Sequence, residues 1–356
     1  MEQANRFYEI DLLRFVSACM VVIFHYTFVG YGLGRTPEME FSELSNYTKY
    51  LYLGINIFFI ISGFVIFKTA VDGKAREFLV SRIVRLYPAY WFAVIFTGTI
   101  LYLFAEHEKL QVNLNQWMMN FTMLQSAANM KHIESAYWTL WIELKFYIVI
   151  LFMTLMGWLR LIKPLIFVSL VSSTLFLNYG KLYFHPFISA FPNWWGYFAT
   201  GIIFYLIKRD GMDKGLALLL SLAVIFIATQ NYFFCQKMQR WYDVDFSYTA
   251  LLIANAFILF IFSLIVFKPS NMFRHSVFLS WGALTYPLYL VHQNVGYVIF
   301  NAFSDKASSG VLVILTCIFM LVLAFLINKL IEKPCSKWLK KLLEVKVNQP
   351  NSTNLR

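Results

Sequence analysis

The apolar stretch EIDLLRFVSACMVVIFHY, residues 9–26, holds Asp11, Arg14 and His25. At roughly 100° per residue, Arg14 and His25 differ by about 20° in direction and lie on one face of a helix, some 16 Å apart along its axis. Asp11 precedes Arg14 by three positions and can pair with it. An imidazole whose ordinary pKa lies near 6.5 gains and loses a proton close to neutrality, which suits a general base or a nucleophile. Ionisable groups within a membrane helix are expensive and mark functional positions. The plainer alternative is that Asp11 and Arg14 anchor the helix at the headgroups and that His25 is a hydrogen bond between helices.

Further candidates lie along the chain. In SRIVRLYPAYW, Arg82 and Arg85 share a helix face just before the third apolar run; they read either as positive-inside anchors or as paired guanidinium forks for a phosphorylated ligand. In SAYWTLWIELKFY, Glu143 is expected at about the depth of His25, where a carboxylate can orient an imidazole. Trp138 and Trp141 precede it as supporting residues. Pairing of Glu143 with Lys145 is disfavoured, because residues two apart on a helix do not face each other. In WGALTYPLYLVHQ, Tyr286, Tyr289 and His292 ascend by threes around Pro287, which is expected to kink the helix. The tyrosines read first as packing. His292 reads equally as helix glue or as a contact to an acceptor.

The elements that must position these groups follow from composition. Of 356 residues, 59% are hydrophobic and 14% charged, which excludes an ordinary soluble globule and predicts an all-α, polytopic membrane protein. Apolar runs at about 10–30, 50–68, 87–105, 136–157, 164–179, 194–207, 215–234, 248–267, 277–300 and 310–330 predict about ten transmembrane helices. With the N-terminus inside, most Lys and Arg, including Lys74, Arg76, Arg82, Arg85 and the lysines after 328, fall on the inner side, so both termini are expected to be cytoplasmic. The net charge of +11 is assigned to this bias and not to nucleic acid, for which no recognition motif is present. The N-terminus carries acids beside its one arginine and no small-residue cleavage site, and reads as an uncleaved first span. Cys19, Cys235, Cys317 and Cys335 have no paired spacing, so neither a metal site nor a disulfide framework is expected. Residues 1–345 are expected to form a single transmembrane domain, and 346–356 a short polar cytoplasmic tail. The insert NQWMMNFTML in the outer loop at 106–135 is too short to cross and is expected to dip into the membrane or lie on it.

Taken together, IDLLRFVSACMVVIFHY, INIFFIISGFVIF, SRIVRLYPAYW, YWTLWIELKFY, ALTYPLYLVHQ and the closing IEKP at 331–334 resemble the acyltransferase type three family of integral-membrane acyltransferases, which includes O-acetylases of bacterial surface polysaccharides. The resemblance implies a ten-helix core in the cell's inner membrane. It also implies transfer of an acyl group, usually acetyl, from cytoplasmic acyl-CoA to a hydroxyl of an extracytoplasmic or lipid-linked glycan, with no bound cofactor. It marks Arg14 and His25 as required, and Arg82 with Arg85 as the family's paired arginines. On this reading His25 and Glu143 are catalytic and Arg14, Arg82 and Arg85 hold the donor. Asp11, Trp138, Trp141, Tyr286, Tyr289 and His292 support them. Direct transfer and an acyl-histidine intermediate are both open. The rival reading is a transporter or channel for a small anion or lipid-linked sugar, against which stands the lack of inverted halves or paired broken helices.

Overall fold

The computed structural model describes residues 8–179, 194–267 and 276–345, and the polar tail lies outside them. The described chain is all-α, and its longer helices are numbered here in order: α1 Tyr8–Phe24, α2 Leu53–Asp72, α3 Ala75–Phe104, α4 Leu114–Asn120, α5 Trp138–Leu155, α6 Ile162–Tyr179, α7 Trp195–Asp210, α8 Lys214–Tyr242, α9 Tyr248–Phe267, α10 Ser276–Phe303, α11 Ser309–Ile327 and α12 Lys333–Val345. Two π-helical turns interrupt the regular helix, His25–Val29 after α1 and Asn328–Glu332 between α11 and α12.

Among the described residues, eight helical stretches are long and apolar enough to cross a membrane. Two of the ten expected runs fall outside that set. The helix α7 has 16 residues, short for a span, and everything from Trp195 to Ile207 is buried. The long α10 carries Thr285, His292, Gln293 and Asn294, which dilute its apolar character. The third helix also begins earlier than its apolar run. It starts at Ala75 behind Lys74, with Glu77 reaching back to the Lys74 N–H at 3.3 Å, so Arg82 and Arg85 lie inside the helix and not before it. Arg, Glu and Leu are good helix formers, and a first turn outside the hydrocarbon needs no apolarity.

The chain divides into two compact units, Met1–Asp72 with Thr139–Gly282, and Gly73–Trp138 with Ala283–Arg356. In the first unit α2 and α7 make the closest crossing. A Cβ on Gly63 would fall onto the backbone of Phe198, and one on Gly201 onto the carbonyl of Ile60. Small residues at such crossings let helix backbones approach where no hydrophobic force drives helices together. Beside this crossing, Tyr197 Oη accepts from Asn56 Nδ2 at 2.7 Å and Asn231 Nδ2 at 3.0 Å and donates to Asn255 Oδ1 at 3.0 Å, tying α7 to α2, α8 and α9.

In the second unit the insert at 114–120 packs onto α3. Trp117 Nε1 donates to the Val94 carbonyl at 3.0 Å, and its ring occupies the space a Cβ would need at Gly98. The segment 133–137 is strapped to α10 by four hydrogen bonds. Asn294 gives its backbone N–H to Glu134 Oε2 at 2.7 Å and its Nδ2 to the Ile133 carbonyl at 2.5 Å. Tyr289 Oη donates to the Ala136 carbonyl at 2.9 Å, and Tyr137 Oη to the Leu290 carbonyl at 2.9 Å. At the other end of this unit α12 docks on α3, through Ser336 Oγ to the Val84 carbonyl at 2.8 Å and Arg76 Nη2 to the Leu343 carbonyl at 3.1 Å.

Candidate functional site

Asp11, Arg14, Trp141, Glu143 and His25 belong to the first unit; Arg82, Arg85, Trp138, Tyr286, Tyr289 and His292 belong to the second. In the first, α1 is regular from Tyr8 to Phe24, which carries the Arg14-to-His25 spacing through unbroken helix. The anticipated ion pair is present, with Arg14 Nη1 3.6 Å from Asp11 Oδ1. Asp11 is buried, and Gly282 makes room for it, since a Cβ there would sit 2.7 Å from that of Asp11.

His25 opens the first π-helical turn, and all five residues of that turn are buried. A π-turn widens the ring of backbone hydrogen bonds and shifts the following side chains around the axis, and such turns recur at functional sites. The imidazole lies against the Phe24 ring, with centroids 5.3 Å apart. Two residues on, Thr27 Oγ1 donates to the Ile23 carbonyl at 2.7 Å and meets Thr48 Oγ1 at 2.8 Å, which pins the turn to the chain entering α2. Glu143 on α5 is half-buried. It accepts from Ser62 Oγ on α2 at 2.5 Å and from Tyr147 Oη, one turn along its own helix, at 2.6 Å. Lys145 faces elsewhere, over the Trp141 ring at 5.7 Å, as the helical spacing requires.

The second unit holds a cavity of about 1060 Å³ between the start of α3, the second π-turn and α12. The charged groups of its lining are mostly basic, with Lys74, Arg76, Arg85, Lys333, Lys337 and Lys340 against Glu77, Glu332 and Glu344, and apolar side chains such as Val80, Val84 and Leu343 complete the wall. Arg85 is thus on the wall. Arg82 is directed to Ser81, whose Oγ its Nε approaches to 3.1 Å, and to the Phe78 ring at 6.0 Å. Glu332 closes the π-turn, is 7% exposed and accepts from Asn328 Nδ2 at 2.9 Å. Arg85 and Lys333 are its opposing charges. Six cations against three acids leave a surplus of positive charge, and an anionic group meeting it could be held by Arg with two parallel donors and by Lys as a point charge.

Elsewhere in this unit, His292 is fully buried, its Nδ1 2.9 Å from the Tyr289 carbonyl. Tyr286 Oη donates to the Leu86 carbonyl at 3.1 Å, so both tyrosines bond to backbone besides packing. Trp138 begins α5 and is half-buried. Two buried acids were not foreseen as site residues. Glu134 is fully buried and receives Thr97 Oγ1 at 3.2 Å besides the Asn294 N–H. Nothing local distinguishes it from Glu106 or Glu108 in the same loop. Glu332 lies within the IEKP stretch, and the lysines at 333, 337 and 340 repeat at helical spacing, so an amphipathic reading of 333–345 would have found that wall.

His132, in the segment before α5, accepts Gln125 Nε2 at Nδ1 at 2.9 Å, while its Nε2 lies 3.0 Å from Ser126 Oγ. The pattern fits a neutral ring protonated at Nε2, and burial pushes its pKa down to about 4.

Compared with known proteins, the chain finds no match among curated proteins and none among solved structures. The family model described as an acyltransferase domain matches residues 7–329, a range that takes in the Asp11–Arg14 pair, His25, Glu143, Arg82 and Arg85 of α3 and the first two residues of the second π-turn. With apolar helices throughout and this match over nearly its whole length, the chain belongs to the acyltransferase 3 family of membrane acyltransferases.

Proposed function

We propose that the protein is an O-acyltransferase of the cell's inner membrane that moves an acyl group, acetyl being the expected one, from cytoplasmic acyl-CoA to a hydroxyl of an extracytoplasmic or lipid-linked glycan. The observation that carries this reading is the basic cavity of the second unit, with Arg85 on its wall. Coenzyme A is a polyanion with several phosphates on a nucleotide head, and a wall of two guanidinium and four ammonium groups answers that charge. The predominance of Lys and Arg on the expected inner side supports a cytoplasmic mouth for this cavity.

His25 supplies the base. One ring nitrogen takes the proton of the acceptor hydroxyl as its oxygen attacks the acyl carbon. The carbon–sulfur bond then breaks, and the coenzyme A thiolate leaves and takes up a proton. Burial of the whole turn limits the access of water that would compete for the acyl group. Glu143, held by Ser62 and Tyr147, is an anchored carboxylate that steadies the positive charge arising on the imidazole. The alternative order, in which His25 carries the acyl group before the acceptor arrives, uses the same residues.

The test is purified protein with radiolabelled acetyl-CoA and candidate glycans. Label moving to a glycan hydroxyl, with free coenzyme A released in equal amount, is the expected result. Donor left unconsumed with every acceptor, in a protein that still binds it, would refute the reading.

A further inference from the structure

The helix α12 has two faces. Through Ser336, Lys333, Lys337 and Lys340 it forms a wall of the basic cavity, and Ser336 and Leu343 bond it to α3. Its other face is turned outward, with Trp338 63% and Leu342 47% exposed and Pro334, Cys335 and Lys341 exposed beside them. A tryptophan and a leucine one helical turn apart, left in water, would be an unfavourable surface.

That face is not isolated. Along α11 the residues Ile314, Ile318, Val322 and Leu326 are exposed, and the stripe runs on through Leu330 in the π-turn to Trp338 and Leu342. On a helix that crosses a membrane, an exposed aliphatic stripe faces acyl chains. Its continuation on α12, in one helical stretch with α11, mixes an aromatic ring, a leucine and the Lys341 ammonium, groups suited to the headgroup layer. Lys329 and Lys341 lie outside the cavity lining and put positive charge at both ends of this continuation.

We infer that the outward face of α12 rests on anionic phospholipid headgroups of the inner leaflet, and that this contact holds the basic wall of the cavity in place, so that affinity for the donor depends on anionic lipid. The inference rests on the donor reading of the cavity given above. It opposes ordinary surface electrostatics. An anionic bilayer repels a polyanionic ligand and lowers its local concentration, so a passive surface would weaken donor binding.

The experiment uses the full chain in nanodiscs of phosphatidylcholine alone or mixed with phosphatidylglycerol. Coenzyme A binding is measured by calorimetry, and a thiol-reactive environment-sensitive fluorophore on Cys335, with the other cysteines replaced, reports contact with lipid. The expected result is about fivefold tighter coenzyme A binding in the anionic discs, the factor one lysine at an anionic surface supplies. It comes with a blue shift of the fluorophore on adding phosphatidylglycerol. The double variant Trp338→Ser, Leu342→Ser is expected to lose both responses. Equal or weaker binding by the parent in anionic discs overturns the inference, as does a response that survives in the double variant. A fluorophore insensitive to lipid overturns it without reference to the donor. A second copy of the chain on this face, seen as a Cys335–Cys335 crosslink under oxidation at every lipid composition, overturns it too. If coenzyme A binds in neither disc, the donor reading fails; the fluorophore then reports separately on the lipid contact.

Discussion

The two π-helical turns use one backbone device for two different ends. The first, His25–Val29, is buried at every position and is pinned by Thr27 to Thr48. The second, Asn328–Glu332, has buried ends, an exposed middle and a charged cavity beside it. One excludes water from an imidazole, while the other sets a carboxylate beside Arg85 in a wall of cations. Water exclusion favours chemistry on a bound group, and accessible charge favours capture of a ligand from solution. On the proposed function, the contrast divides capture and chemistry between two places, each built on a π-helical turn.

The comparison can be broken or sharpened by substitution. The largest effect is expected from His25→Ala, which on the proposed function removes the general base or nucleophile and is expected to lower turnover by about 10²–10⁴-fold while donor binding stays as in the parent, read by calorimetry. Next comes Arg85→Ala. A charge-assisted hydrogen bond is worth about 1.5–3 kcal/mol, so donor affinity is expected to fall by roughly one to two orders of magnitude.

Gly201→Ala is expected to cost stability and not binding. The added methyl falls onto the Ile60 carbonyl, and overpacking of this kind costs about 1–3 kcal/mol, measurable as a lowered unfolding midpoint in detergent. A smaller change of opposite sign is expected for Glu332→Gln, which removes an acid from an anion site while Gln still accepts from Asn328. Donor affinity is expected to rise a few-fold.

A further effect is set by pH. His132 has its pKa lowered to about 4 by burial, so the unfolded chain binds its proton first as pH falls. The stability it contributes is complete above the ordinary histidine value near 6.5 and is lost as pH falls from there toward 4. A His132→Gln variant is expected to flatten that part of the midpoint-against-pH curve.

Much of the first unit was legible in the sequence, because its signals are local. The Asp11–Arg14 pair follows from a spacing of three, and the separation of Glu143 from Lys145 follows from a spacing of two. The start of α3 was placed too late because hydropathy ends where the helix leaves the apolar layer, whereas the hydrogen-bonded ladder does not. The cavity was illegible for a different reason. Its wall depends on Ser336 reaching Val84, 252 residues away in sequence, and no local pattern encodes such a meeting. Glu134 belongs with it, since its burial is decided by Thr97 and Asn294 and not by its neighbours in the loop.

The division of labour is tested most directly by measuring coenzyme A affinity and acyl transfer side by side on His25→Ala and Arg85→Ala in the same lipid. The account predicts that the histidine variant binds donor as the parent does and transfers nothing, whereas the arginine variant regains transfer at high donor concentration. Near-normal transfer by His25→Ala, or unchanged donor affinity in Arg85→Ala, would contradict it.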